Sequence, residues 1–299
     1  MLQFQPSGFG QKSVSTSLGR VAYYTQIGAF WQPTTSAPDT GPPIVFFHNF
    51  GGGASAYEWS KVYSTLAARY QVIAPDLVGW GASDHPARRY SDEDYIGNIE
   101  DFIQQISDEP VIAVASSFTA GLVARLATKR KNLFQKLFLV CPSGFEDFGK
   151  GAGRRLPEPI INAPFLDKAI YALGATNEIA VRNFLENFLF AQRDRLSNET
   201  VAAYLASAQQ PNAEYSALSF LRGDLYFDLA PYMEWLQVPT AMVWGEKAQF
   251  TSVLLGRQLA DLNAYTVKRF QVVSNTGVLP HLEQPGVVAA LLLDWLQVS

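Results

Sequence analysis

The chain has 299 residues, of which 48% are hydrophobic, 13% are aromatic and 17% are charged, and its formal net charge is −4. This apolar fraction is sufficient for a buried core and excludes a globally disordered protein. The 23 basic residues form no block along the sequence, so binding to nucleic acid or to an anionic membrane is not expected on electrostatic grounds.

Cysteine and histidine are scarce. The single cysteine, Cys141, excludes an internal disulfide, and the three histidines, His48, His85 and His281, lie far apart in the sequence. A metal site rich in these residues is therefore not expected, and no cofactor is indicated. The first residues contain no apolar signal-peptide core, and no run of about 18 apolar residues occurs. We therefore expect a cytoplasmic protein without a transmembrane segment.

Strand and helix signals alternate through the first half of the chain. A β-hairpin is predicted at residues 13–24, and residues 31–43 have the composition of a loop. Short continuous apolar runs predict buried strands at residues 44–47, 72–74, 111–115 and 137–140. Helices are predicted between these runs, at residues 55–70, 91–106 and 118–129. Such alternation is typical of a parallel sheet with helices on both faces.

The alternation stops near residue 144 and resumes near residue 238. Between these points helical patterns dominate and aromatic residues are frequent. We predict a helical insertion at residues 144–235, between two parts of a core at residues 1–143 and 236–299. The aromatic side chains are explained equally well by packing within the insertion and by lining a ligand pocket. The last predicted elements are strands at residues 238–244 and 267–273 and helices at residues 254–262 and 287–296.

Several motifs occur in the order expected of one known family. Residues 47–53, FHNFGGG, resemble an oxyanion loop, and residues 74–84, APDLVGWGASD, are similar to the stretch PDLxGxGxSD. Residues 238–240 and 244–247 resemble the approach to a catalytic acid, and residues 280–285, PHLEQP, resemble the segment just after a catalytic histidine. Together they resemble the α/β-hydrolase fold superfamily over nearly the whole chain. The resemblance implies a mostly parallel central sheet with helices on both faces and a helical lid inserted after the sixth strand.

The resemblance places Ser117 at the position of the catalytic nucleophile. Residues 115–119, ASSFT, stand where the family has Gly-x-Ser-x-Gly, a pattern whose small residues permit a strained turn from strand to helix. Thr119 is bulkier than the usual glycine, so the turn is expected to be wider or strained. The alternative interpretation is that Ser117 only caps the following helix.

The resemblance also implies an oxyanion hole, formed by the backbone N–H groups of Phe50 and Phe118. Asn49 stands where glycine is usual. Because asparagine tolerates a positive φ, the backbone shape of this loop is expected to survive. His48, Asn49 and Ser116 are further candidate ligand-binding residues.

Neither of the other two triad positions carries the expected residue. The acid pattern Gly-x-x-Asp reads GEKA at residues 245–248, which puts Ala248 at the acid position. The base pattern Gly-His-x-Pro-His reads GVLPH at residues 277–281, which puts Val278 at the base position. A serine hydroxyl is a weak nucleophile without an adjacent base, and loss of the base in such triads lowers turnover by roughly 10⁶. The triad is therefore predicted to be degenerate.

Three functions are compatible with this pattern. The turn that carries Ser117 is called the elbow below. The first function is a pseudohydrolase that keeps this elbow serine and the oxyanion hole and binds a small apolar or carbonyl-containing ligand. The second is an atypical serine hydrolase, of the esterase or thioesterase type, that uses a base such as His281, with His48 and Lys247 as weaker candidates. The third is an assembly protein that binds a protein partner. An open apolar cavity beside Ser117 would favour a ligand, whereas a pocket filled by aromatic side chains would favour assembly.

Overall fold

Eight strands form one sheet in the computed structural model, which describes residues 1–28, 31, 41–150, 171 and 175–297. The strands are β1 (Phe9–Ser15), β2 (Arg20–Gln26), β3 (Ile44–Phe47), β4 (Val72–Pro75), β5 (Val111–Ser116), β6 (Phe134–Val140), β7 (Thr240–Gly245) and β8 (Val267–Val273). Their spatial order is β1-β2-β4-β3-β5-β6-β7-β8. β1 and β2 form the predicted hairpin, β2 pairs antiparallel with β4, and the other neighbouring strands are parallel.

The interior strands explain why the sequence shows continuous apolar runs rather than alternation. Every residue of β3, β4, β5 and β7 is buried, as expected where helices cover both faces of a parallel sheet. The edge strand β8 is half-buried along its middle. These interior strands form the centre of the hydrophobic core.

The strand order reverses between β3 and β5. From β3 the chain crosses to β4 on one side, and it then returns to β5 on the other side of β3. Ligands of open α/β sheets bind at the carboxyl ends of the strands at such a switch point. The segments that follow β3 and β5 are the predicted oxyanion loop and the predicted nucleophile turn, so the topology brings both to one crevice.

Helices connect the strands and pack in two groups. They are α1 (Ser60–Tyr63), α2 (Asp92–Ile106), α3 (Ser117–Lys129), α4 (Glu178–Phe184), α5 (Asn198–Ala208), α6 (Ala213–Leu221), α7 (Ala230–Trp235), α8 (Val253–Asp261), α9 (Pro280–Glu283) and α10 (Pro285–Leu296). α2 starts with a capping box between Ser91 and Asp94, at the predicted position. α3 packs against α2 and α7, and α10 packs against α1. Because the β3–β4 and β5–β6 crossovers run in opposite directions, right-handed connections put α1 and α3 on opposite faces.

The helix predicted at residues 55–70 is wrong in length. The structure has a 3-10 helix at Ala56–Trp59, followed only by the short α1. The Ser55 side chain makes no capping bond, and the N–H of Ala56 donates instead to the Asp76 carboxylate at 2.7 Å. This segment is therefore shaped by a buried tertiary contact and not by helix capping.

The described part of the chain between β6 and β7 is mainly helical. It contains α4 to α7, with a π-helical turn at Leu185–Leu189 after α4. Residues 151–170 and 172–174 of the predicted insertion lie outside the described residues. Buried Asp147 joins the two ends of the insertion, because its carboxylate accepts bonds from the hydroxyl of Ser143 (2.6 Å) and the N–H of Leu229 (3.0 Å). Among the described residues, no helix is long and apolar enough to cross a membrane.

Candidate active site

Ser117 occupies a strained turn between β5 and α3. Its φ of 53° is in the left-handed region, which is uncommon for a residue other than glycine and is concentrated at functional sites. The Ser117 side chain makes no hydrogen bond to the described residues, and the residue is 9% exposed. The N-cap of α3 is Ser116, without a side-chain capping bond, so Ser117 is not the helix cap. The buried hydroxyls of Ser116 and Thr119 also have no partner in the described part of the chain.

The two candidate oxyanion donors are neighbours. Phe118 is in the first turn of α3, where backbone N–H groups have no intrahelical acceptor. Phe50 lies in the loop after β3, and the ring centroids of Phe50 and Phe118 are 5.1 Å apart. Both residues are buried.

Asn49 holds the candidate oxyanion loop through its side chain. The expectation that asparagine serves here because it tolerates a positive φ is wrong, since the φ of Asn49 is not positive. Its Nδ2 donates to Glu58 Oε1 at 2.6 Å, its N–H donates to Glu58 Oε2 at 2.9 Å, and its Oδ1 accepts from the N–H of Gly51. The loop is therefore fixed by a buried amide and carboxylate pair.

His48 is held within the backbone of the same loop. Its Nε2 accepts from the N–H of Leu77 at 3.0 Å, so Nδ1 carries the proton and donates to the carbonyl of Asn49 at 2.6 Å. Both ring nitrogens are thus engaged. In this arrangement His48 positions the loop, and it has no free nitrogen to act as a base.

His281 faces a buried carboxylate. It lies on α9 with no exposed surface, its ring stacks on Trp59 at 3.9 Å, and its Nε2 is 3.8 Å from Glu58 Oε2. Burial lowers the pKa of His281, and the nearby Glu58 carboxylate opposes this shift. Glu58 also accepts a bond from the hydroxyl of Tyr204 at 2.6 Å. The imidazole is therefore part of a buried cluster around Glu58.

Val278 and Ala248, at the predicted base and acid positions, lie on adjacent loops. Val278 is 2% exposed and follows Gly277 in the loop after β8. A Cβ on Gly245, at the end of β7, would overlap the carbonyl oxygen of Gly277, so the two loops touch. Ala248 lies in a turn, and its N–H donates to the carbonyl of Gly245 at 3.1 Å. Neither the valine nor the alanine side chain can exchange a proton.

The remaining candidate bases have other contacts. Lys247 is exposed, and its Nζ donates to Asn275 Oδ1 at 3.0 Å. His85 lies with Nε2 at 3.2 Å from the carbonyl of Gly81, and burial lowers its pKa. Within the described residues, no group of three or more His, Cys, Asp or Glu side chains could hold a metal ion.

A carboxylate fixes the loop that carries Val278. Buried Glu283 accepts from the N–H groups of Gly277 at 2.5 Å, Ala191 at 3.0 Å and Gln192 at 3.0 Å. Burial raises the pKa of Glu283, and these three N–H groups oppose the shift. Sequence reasoning missed the roles of Glu283 and Glu58. The glutamate of the PHLEQP motif was a usable signal for Glu283, whereas nothing local marks Glu58.

An apolar cavity of about 250 Å³ lies between the candidate oxyanion loop and the insertion. Ser117 is not among its lining residues, and the rings of Phe118, Phe145 and Phe220 pack with centroids 5.0 to 6.1 Å apart beside the elbow. The structure thus combines an open apolar cavity with an aromatic wall. The lining is mainly aromatic and aliphatic: Phe50, Gly51, Gly52, Phe145, Tyr171, Ala175, Val181, Phe184, Phe188, Ala217, Phe220, Leu221, Tyr226 and Phe250.

Comparison with known proteins identifies the family. Residues 44–291 match the alpha/beta hydrolase family, and the chain therefore belongs to it. A solved structure of a serine hydrolase involved in carbazole degradation superposes with a TM-score of 0.74 at 18% identity, covering 97% of this chain and 100% of the other. The predicted α/β-hydrolase fold is confirmed.

Two curated relatives have higher sequence identity but match a smaller share of the chain. An uncharacterized protein of Mycobacterium tuberculosis is 34% identical over 105 residues, which cover 35% of this chain and 30% of that protein. The 2-hydroxy-6-oxo-6-(2'-aminophenyl)hexa-2,4-dienoic acid hydrolase of Metapseudomonas resinovorans is 26% identical over 231 residues, covering 74% of this chain and 73% of that protein. The match to the mycobacterial protein thus spans less than a third of its length.

Proposed function

We propose that this member of the alpha/beta hydrolase family binds a small apolar or carbonyl-containing ligand and does not carry out Ser-His-Asp hydrolysis. The observation that carries the proposal is the side chain at the base position, because buried Val278 cannot accept the proton of a serine hydroxyl. Ala248 at the acid position agrees with it, since a lost base leaves no imidazole for a carboxylate to orient.

The other histidines give no substitute in this arrangement. His48 has both nitrogens engaged by the backbone, and His281 stacks on Trp59 beside Glu58. A base must reach the proton that it removes within about 3 Å, directly or through one water. Neither ring is hydrogen-bonded to Ser117, which supports an inert elbow.

The ligand is assigned to the apolar cavity. Phe50 both lines this cavity and supplies a candidate oxyanion N–H, so a ligand carbonyl near Phe50 could accept a bond while the apolar remainder fills the aromatic chamber. The insertion at residues 144–235 then acts as the lid of this site. A ligand pocket of this kind needs no catalytic base.

The strained backbone of Ser117 favours a second candidate, an atypical serine hydrolase. Strain of this kind persists where surrounding structure enforces it, and it clusters at active sites. A hydrolase of Metapseudomonas resinovorans is among the matched relatives. This similarity supports hydrolysis by analogy only and identifies no catalytic base in this chain. In this alternative His281 would have to leave Glu58 and approach Ser117.

Labelling with a fluorophosphonate serine probe separates the two candidates. The proposal expects no labelling of the folded wild-type protein, equal to the Ser117→Ala background, with Ser116→Ala as the matched control from the same turn. Labelling that is lost in Ser117→Ala but kept in Ser116→Ala would overturn the proposal in favour of the hydrolase. His281→Ala would then identify the base by abolishing the labelling.

A further inference from the structure

A second cavity, which we call the polar chamber, adjoins the apolar cavity. Its volume is about 290 Å³, and it shares Phe145 and Phe250 with the apolar cavity. The ring centroids of these two residues are 6.0 Å apart, so a pair of phenyl rings separates the chambers. In contrast to the first cavity, much of its lining is polar, namely Ser143, Asp147, Lys150, Thr251, Ser252 and Gln258.

The buried hydroxyl of Thr251 has no hydrogen-bond partner in the described part of the chain, which indicates a ligand site. Thr251 is 4% exposed and lines the polar chamber. Its carbonyl accepts from Trp244 Nε1 at 3.1 Å, so its backbone is anchored. Buried hydroxyls without partners are rare and unfavourable. A ligand that accepts a hydrogen bond in this chamber would satisfy the hydroxyl.

Other donors converge on the same place. Helix α8 begins directly after Thr251, and the Ser252 side chain caps only the N–H of Leu255, at 3.2 Å. The N–H groups of Val253 and Leu254 donate to none of the described residues, and such helix starts attract negative charge. Lys150 adds a positive charge to the lining. The chamber therefore presents a hydroxyl, helix N–H groups and an ammonium.

One negative charge opposes these donors. Asp147 lines the chamber, but its carboxylate already accepts from the Ser143 hydroxyl at 2.6 Å, the Gly144 N–H at 3.0 Å and the Leu229 N–H at 3.0 Å. Three of its four lone-pair sites are therefore already engaged within the protein. With one lysine against one carboxylate, the chamber suits a singly charged group better than a doubly charged phosphate.

We propose that the polar chamber binds the carboxylate of an aliphatic acid whose hydrocarbon chain lies in the apolar cavity. The inference rests on the proposed function, because it requires the apolar cavity to be a ligand site. Phe145 and Phe250 form the neck through which the chain passes. The backbone of Phe145 has a φ of 68°, and its N–H donates to the hydroxyl of Ser143 at 3.0 Å. Opening of the neck is therefore assigned to the Phe250 side chain.

Calorimetric titration with octanoate, and with octan-1-ol as its neutral counterpart, tests the assignment. Thr251→Val keeps the side-chain shape but removes the hydroxyl, and Lys150→Met removes the charge. Each substitution is expected to weaken octanoate binding by about tenfold, the usual effect of losing one hydrogen bond or charge contact to an anion. Octan-1-ol binding should change little, and Thr251→Ser should restore octanoate binding. Ala175→Phe, which fills the apolar cavity, should weaken both probes.

The outcomes separate this inference from the proposed function. If octan-1-ol binds and is lost in Ala175→Phe, but octanoate affinity is unaffected by Thr251→Val and Lys150→Met, the carboxylate assignment fails and the apolar ligand site stands. If neither probe binds the folded protein, both proposals fail. Octanoate binding that survives Ala175→Phe would place the anion elsewhere and overturn the inference.

Discussion

The Nε2 atom of His281 lies 3.8 Å from Oε2 of Glu58, and neither side chain has any exposed surface. The same carboxylate holds Asn49 in the candidate oxyanion loop and Tyr204 on α5. One buried acid therefore connects the loop after β3, the insertion and α9. The histidine close in sequence to the base position is therefore packed against Glu58 and Trp59.

Glu58→Gln is expected to destabilise the protein by about 2 kcal/mol, because Asn49 would lose one of its two buried acceptors. Glutamine has a single acceptor oxygen, so in either orientation of its amide the nitrogen faces one of the two Asn49 donors. Urea denaturation followed by tryptophan fluorescence measures the change. Glu199→Gln is the matched control: Glu199 also accepts from a tyrosine hydroxyl, that of Tyr57, but its side chain is 58% exposed, and the expected change is below about 0.5 kcal/mol. Equal effects of the two substitutions would contradict the assignment.

The buried imidazole of His281 predicts that stability falls in mild acid. Burial lowers the pKa of His281 below its ordinary value of 6.5, so in the window below that value the unfolded chain binds more protons than the folded one. The contribution of neutral His281 to the free energy of unfolding is fully present above pH 6.5 and is lost as the pH falls below this value. His281→Phe keeps a ring for stacking on Trp59 but cannot be protonated.

The free energy of unfolding at about pH 7.5 and about pH 5.5 should therefore differ less in His281→Phe than in the wild-type protein. Half-buried His85, whose pKa is also lowered by burial, leaves a residual dependence in both proteins. An unchanged difference in His281→Phe would mean that His281 has the same proton affinity in the folded and unfolded states.

Short apolar runs predicted the interior strands, because each of these strands is a contiguous stretch of the sequence. The role of Glu58 was not predictable in this way. Its partner Asn49 is 9 residues away, but Tyr204 is 146 residues away, and only the folded sheet brings them together. The start of the segment after Ser55 was not predictable locally either, because the N–H of Ala56 donates to Asp76, 20 residues away.

The separation of Ser117 from the apolar cavity was equally invisible in the sequence. Aromatic frequency in the insertion indicated either packing or a pocket, and the structure contains both. Phe145 and Phe220 serve both roles, because they pack with Phe118 and also line the cavity, which Phe184 and Phe188 line as well. Which ring serves which role depends on side-chain directions across the insertion, and composition does not encode these directions.

Installing the missing base should raise esterase activity. Val278→His places an imidazole at the base position, and a positioned general base contributes roughly 10²-fold or more to rate. Hydrolysis of p-nitrophenyl butyrate by the folded variant should rise accordingly, and it should rise further when Ala248→Asp is added to orient the ring. Adding Ser117→Ala must return the rate to background. No gain in a folded Val278→His, Ala248→Asp protein would mean that the elbow and the base loop are not aligned for catalysis.

Gly277 is required by close packing of the base loop. A Cβ there would overlap the carbonyl oxygen of Leu189 and approach the N–H of Ala191 at 3.2 Å. Gly277→Ala is expected to destabilise the protein by about 2 kcal/mol, as overpacking at fixed backbone does. Gly97→Ala is the matched control, because a Cβ at this position in α2 meets no atom within 4 Å, and it should stabilise the helix by about 0.5 to 1 kcal/mol. Thermal denaturation of both variants measures the contrast, and opposite signs are required.

The strain at Ser117 is measurable with the adjacent serine as its control. Ser117 has a φ of 53°, whereas Ser116 has a φ of −125°. Both substitutions add freedom to the unfolded chain, which costs about 0.5 to 1 kcal/mol. Ser117→Gly also relieves a left-handed strain of about 1 to 2 kcal/mol and is expected to stabilise the fold by about 0.5 kcal/mol, whereas Ser116→Gly relieves no strain and should destabilise it by about 1 kcal/mol. Urea denaturation of the two variants gives both values. Destabilisation by Ser117→Gly would mean that contacts of the serine side chain outweigh the backbone strain, and the elbow could then no longer be regarded as a strained turn.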